Sequence, residues 1–198
     1  MKKFFSDGLD TIVKLIVTQL GMTMFGTMVT FAAYAVPGSI TKVDDKITGY
    51  GSIFLVVSVF AIIMYLFILY NHIWEKGAKD RIKVDGGRMD KQIFKGLYLS
   101  LVANALNILL GLIMCITYYF FDFNGDPSFI AYQLYGSCNS IARIIQGMYN
   151  GLLLYISPSA SGVSPYMFLV IVLPALLVTT LGYYRGFNNK KLFKTNKK

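Results

Sequence analysis

Four apolar stretches, residues 15–36, 53–74, 96–121 and 166–184, are separated by polar intervals and set the frame of the chain. Each is long enough to cross a hydrocarbon core of about 30 Å as a helix rising ~1.5 Å per residue. The second is apolar all round apart from Ser58 and Tyr65, the pattern of a helix with much of its surface on lipid. The first and third each carry a polar stripe at helical spacing. In the first it is Gln19, Thr23, Gly26, Thr27 and Thr30; in the third, Ser100, Asn104, Asn107, Gly111 and Cys115. An asparagine amide brings two donors and two lone pairs, and leaving them without partners in hydrocarbon is costly. Both stripes are therefore expected to face into the bundle, with Asn104 and Asn107 bonding the Gln19/Thr23/Thr27 stripe or their own kind across an oligomer interface. The fourth stretch has Pro174 near its middle, predicting a kink, and a small-residue face of Ala175, Thr179, Gly182 and Gly186 for close helix contact.

The intervals add detail. Pro37-Gly38 ends the first helix, and a short loop is expected from there to Tyr50. Residues 75–95 read as a polar loop, with a turn at Asp85-Gly86-Gly87 and Asp90 placed to cap the following helix. Asp122 to Asp126 imitates the start of a calcium loop, but its glycine and its twelfth position are wrong, so a turn is expected. In residues 128–156, Asn139, Arg143, Gln146 and Asn150 share one helical face, opposite Ile141, Ile144, Ile145, Met148 and Leu152. That predicts an amphipathic helix at the outer surface, either interfacial or re-entrant. A flexible connector is expected at Ser157 to Gly162. The fold expected is all-α: a polytopic integral membrane helical bundle of four transmembrane helices plus that one outer helix, as a single membrane domain over residues 1–198.

Composition agrees. Of the 198 residues 55% are hydrophobic and 15% charged, where a soluble domain carries about a quarter charged. The first apolar run is longer than a secretory h-region and follows Asp7 and Asp10, so an uncleaved helix is expected in place of a signal peptide. The net charge of +9 is not spread as a nucleic-acid footprint, and no nucleic-acid partner is expected. Lys and Arg number 3, 7 and 6 in the head, the 75–95 loop and the basic tail 185–198, against 2 and 1 in the two opposite segments. This bias predicts a multi-pass protein of the cytoplasmic membrane with both termini cytoplasmic. W-x-x-G-x-K-D-R from Trp74, followed by D-G-G-R-M from Asp85, resembles small bacterial membrane proteins, a likeness that implies no activity.

Candidate chemistry is sparse. One histidine and two cysteines leave no metal cluster or disulfide framework, and His72 reads as an interfacial residue beside Tyr70, Asn71 and Trp74. No triad, no H-E-x-x-H, no Walker-type loop and no intramembrane carboxylate pair is present, so no enzyme and no cofactor are expected. Lys76, Lys79, Arg81, Lys83, Arg88 and Lys91 suit anionic lipid headgroups or an acidic partner. Asp80, Arg81 and Asp90 read as part of a solvated mixed-charge loop. The leading functional expectation is a non-enzymatic interaction or accessory subunit, self-associating or bound to another membrane protein. The alternative is an oligomeric channel or transporter subunit lined by Gln19, Thr23, Thr27, Ser100, Asn104 and Asn107.

Overall fold

The charged head and the first apolar stretch form one continuous helix, α1 (Lys2–Tyr34), because no proline or turn signal separates them. A computed structural model of the chain describes residues 2–43, 46–121, 129–156 and 163–189. The expected turn at Asp122 to Asp126, the connector at Ser157 to Gly162 and the lysines of the tail from Lys190 lie outside these residues. After α1, Gly38 at φ 75° turns the chain. A two-stranded antiparallel hairpin then stands where a loop was expected, β1 (Ile40–Val43) pairing with β2 (Lys46–Tyr50) across a bulge at Thr41/Lys42. The β-branched Ile, Thr and Val of these segments favour strands.

Helix α2 (Ser52–Asp85) is 34 residues long, about 51 Å at ~1.5 Å per residue. It outruns the apolar stretch, so residues 75–85 of the expected loop are helical. Glu75–Lys79 and Arg81–Asp85 ion pairs at i,i+4 support that extension. The turn falls where Asp85-Gly86-Gly87 predicts it, with Gly87 at φ 66°. The third stretch is interrupted at Asn104 into α3 (Lys95–Ala103) and α4 (Ala105–Phe120), a pair bent by 61°. Phe94, not Asp90, is the residue that precedes α3. Next come α5 (Phe129–Ile145), a 3-10 turn (Gly147–Tyr149) and α6 (Asn150–Ile156). The last stretch divides into α7 (Met167–Val170) and α8 (Leu173–Phe187), with Pro174 at the start of α8 where its missing N–H costs nothing.

Among the described residues three helical spans are long and apolar enough to cross a membrane, or four if the bent pair α3–α4 counts as one. Their outer faces are the apolar ones. On α1, Val13, Val17, Leu20, Met24, Met28 and Phe31 are exposed, while Gln19, Thr23 and Thr30 are buried. Helix α2 likewise exposes Val56, Phe60, Ile63 and Phe67 and buries Ser58 and Asp80. A water-soluble helix has the opposite arrangement; lipid around the bundle accounts for this one. The molecule is an all-α, multi-pass membrane bundle.

The chain divides into two compact units. One comprises residues 1–18, 66–104 and 173–198 and contains α3, α8, the beginning of α1 and the end of α2. Its core is Leu69, Ile73, Leu99 and Tyr183. The other comprises residues 19–65 and 105–172, with α4, α5, α6, α7, the hairpin and the remainders of α1 and α2. Its core includes Phe54, Met114, Met148, Leu153 and Phe168, and Tyr34, Tyr50 and Phe54 form an edge-to-face trio.

Candidate functional site

In the first unit, α2 and α8 approach to backbone contact because both present glycine. A Cβ at Gly77 would strike the Tyr183 carbonyl, and one at Gly186 the Trp74 carbonyl. A Cβ at Gly96 of α3 would lie 2.5 Å from that of Tyr183. This close crossing carries the Tyr183 side chain to Asp80, to whose Oδ2 the phenol Oη donates at 3.1 Å. Lys95 Nζ stands 2.8 Å from the same oxygen, and Lys76 Nζ stands 3.7 Å from Oδ1. The Asp80 and Lys95 side chains are 0% and 1% exposed. Lys95 also reaches Met89 Sδ at 3.6 Å.

Desolvating either charge alone would cost several kcal/mol; the pair survives because a second cation and the phenol share the carboxylate. Asp80 is therefore not the solvated loop residue its neighbours in sequence suggest. Sealed as it is, the cluster acts as a clamp joining α2, α3 and α8. Sequence reasoning missed it, although Ile73, Gly77 and Asp80 at intervals of four and three already share a face with an apolar and a small residue.

Above the clamp, the basic residues are held in different ways. Arg81 donates to the terminal Phe187 carbonyl of α8 at 3.4 Å and pairs with Asp85. Lys91 lies over the Phe187 ring at 5.9 Å, and Lys79 pairs with Glu75 at 2.6 Å. Lys79, Arg81, Arg88 and Lys91 are exposed, whereas Lys76 and Lys83 are half-buried.

Beside the clamp, α1 and α2 enclose a cleft of ~200 Å³ lined by Asp10, Thr11, Lys14, His72, Glu75, Lys76 and Lys79. Helical spacing puts 10, 11 and 14 on one face of α1, and 72, 75, 76 and 79 on one face of α2. One turn to the apolar side of Lys14 and Lys76, Thr18 Oγ1 and His72 Nδ1 are 3.3 Å apart.

The intramembrane polar residues are turned inward. Gln19, Thr23, Ser100, Asn104 and Asn107 are buried, and Thr27 is half-buried. In the first unit, Asn104 Nδ2 donates to Ser100 O at 3.0 Å. In the second, Thr27 Oγ1 donates to Met24 O within its own helix. Thr23 Oγ1 reaches the Ile145 carbonyl at 2.6 Å, and Ser58 Oγ the Met148 carbonyl, also at 2.6 Å. Thr23 and Ser58 thus bond the break between α5 and α6, a role the sequence stripe did not reveal.

Gly26, Gly147 and Gly151 let the backbones meet there, since a Cβ at any of them would strike Met148, Thr27 or Phe54. On the polar face of this segment Gln146 is buried, at 2% exposed, and Asn139, Arg143 and Asn150 are half-buried, while Ile141 and Ile144 of the apolar face are exposed. Arg143 lies over the Phe168 ring and bonds Asn139.

Cys115 and Cys138 are both free thiols. Among the described residues no group of three or more His, Cys, Asp or Glu could hold a metal ion. Comparison with protein-family models, with curated proteins and with solved structures found no match to this chain. Fold and burial pattern are those of a small, all-α, multi-pass membrane protein with a closed ionic clamp near one end of α2.

Proposed function

We propose that the chain is a non-enzymatic interaction subunit of a bacterial cytoplasmic membrane, docking an acidic partner on its basic end. The observation that carries this reading is the exposure of Lys79, Arg81, Arg88 and Lys91 at the end held by the Asp80–Lys95–Tyr183 clamp, with Arg81 on the Phe187 carbonyl and Lys91 over the Phe187 ring. Cations held on a rigid support lose little entropy on binding, which favours specific docking over loose lipid contact. The distribution of Lys and Arg, 16 on one set of segments against 3 on the other, supports a cytoplasmic placement of that end and of both termini. Inward bonds from Thr23 and Ser58 to the break after α5 support a re-entrant course for residues 129–156, entering the bundle and returning to the outer side.

The test is native mass spectrometry of tagged protein extracted from its own membrane in mild detergent. A second protein at fixed stoichiometry, lost when Lys79, Arg81 and Arg88 are replaced together by Glu, is the expected result. Retention of that partner by a correctly inserted triple variant would overturn the reading. A second reading, a channel or transporter subunit, draws on the interruption of helices at Asn104 and Gln146, since broken helices with polar groups at the break frame many transport sites. It predicts a homo-oligomer in the same spectrum.

A further inference from the structure

The cleft between α1 and α2 is not absorbed by a docking role for the exposed cations. Its lining alternates in sign: Lys14, Lys76 and Lys79 against Asp10 and Glu75, with Thr11 and His72 as neutral hydrogen-bonding groups. It lies where both helices pass from apolar to polar. On α1, Val13 and Val17 flank Lys14 and are exposed; on α2, the apolar stretch ends at residue 74 beside Glu75. A charged cleft at that level opens onto lipid headgroups. An open cleft of ~200 Å³ has room for a small polar headgroup such as a phosphate carrying a short amine.

We propose that this cleft is a one-per-chain binding site for the phosphoethanolamine headgroup of a phospholipid, with the lysines on the phosphate and Asp10 and Glu75 on the ammonium. The carboxylates decide the class of headgroup. A purely anionic one would satisfy the lysines but leave Asp10 and Glu75 facing its charge, whereas a zwitterion places opposite charge at both the lysines and the carboxylates. The intrahelical pairs Lys14–Asp10 (3.1 Å) and Lys79–Glu75 (2.6 Å) do not stand in the way. More than half of each of these four side chains is exposed, and such pairs are weak enough to exchange for stronger contacts to phosphate. The Thr18–His72 contact and the Lys76–Asp80 pair fix the two walls, so the site exists before the lipid arrives. This inference shares only Lys79 with the docking role, and Arg81→Glu with Arg88→Glu tests docking without touching the cleft, so the two can fail separately.

The test is lipid titration of the delipidated full chain by native mass spectrometry, using phosphatidylethanolamine, phosphatidylcholine, phosphatidylglycerol and soluble O-phosphoethanolamine as probes. One retained phosphatidylethanolamine is expected, bound about tenfold more tightly than phosphatidylcholine, which has the same phosphate but no ammonium N–H. Asp10→Asn with Glu75→Gln should abolish that preference, and Lys14→Gln with Lys79→Gln should weaken every lipid. Lys42→Gln, an exposed position outside the cleft, should change nothing. These exposed positions leave folding intact, which a melting curve on each variant verifies. Equal retention of the three lipids, a preference for phosphatidylglycerol, or soluble O-phosphoethanolamine binding as tightly as the lipid would each overturn the proposal.

Discussion

Lys95 Nζ lies 2.8 Å from Asp80 Oδ2, although the two are 15 positions apart in sequence with a glycine turn between them, and both side chains are almost wholly buried. This pair joins the end of α2 to the start of α3, and its loss should be felt asymmetrically. Lys95→Met leaves Asp80 with the more distant Lys76 and should cost about 3–5 kcal/mol. Adding Asp80→Asn keeps an oxygen for the Tyr183 phenol while removing the stranded charge, so the double variant should recover much of that loss. Thermal unfolding in one detergent compares the unaltered chain, Lys95→Met, Asp80→Asn and the double variant. Additive losses would show that the pair is not coupled.

The α2–α8 crossing depends on missing side chains, and two glycines make a matched test. Gly186→Ala would drive a methyl into the Trp74 carbonyl and should destabilise by about 1–3 kcal/mol or more. Gly21→Ala, on an exposed position of α1 with nothing within 4 Å, should instead stabilise by about 0.5–1 kcal/mol through helix propensity. The sign of the difference is the prediction, read from melting temperatures. Two shifts of the same sign would remove the close-crossing argument.

Thr23 and Ser58 tie down the two sides of the break between α5 and α6. Thr23→Val and Ser58→Ala should each cost about 0.5–1.5 kcal/mol, the net worth of one hydrogen bond. The local signature is more specific than the global one. Amide hydrogen exchange at Gln146 to Asn150 should accelerate in both variants and leave α4 unchanged. Uniform acceleration would mean that the hydroxyls stabilise the bundle generally.

Much of this architecture is legible in the periodicity, because in lipid the apolar residues must face outward and the long runs have no other use. That α2 keeps much of its surface on lipid follows from that alone, whereas only the structure shows that Val56, Phe60, Ile63 and Phe67 are among its exposed residues. Local turn chemistry was also readable at Gly87, whose positive φ suits a residue without Cβ. What sequence could not supply was tertiary pairing. Asp80 sits among charges that look solvated, and only the approach of α3 and α8 shows that Lys95 and Tyr183 converge on it. Polarity misleads in residues 129–156 for a related reason: Gln146 looks wet by composition but is buried at the break, while Ile141 and Ile144 are exposed, as lipid around the bundle allows. The cleft between α1 and α2 joins residues more than 50 positions apart, and no local pattern announces it.

The two readings of the intramembrane asparagines separate in one experiment. Asn104 and Asn107 are 6% and 3% exposed, and Asn104 closes α3 by donating to the Ser100 carbonyl. Both side chains are turned into the protein, and Asn104 is bonded within its own segment, so both act on stability first. Asn104→Leu with Asn107→Leu should therefore shift the melting temperature, while solute and ion flux in reconstituted vesicles stays at the level of the unaltered chain. Both quantities can be read on the same preparation, so a loss of folded protein cannot pass for a loss of transport. Altered flux at unchanged stability would give these residues a lining role, and the weight would pass to the channel reading, because a solute path needs its polar groups available and a packing contact does not.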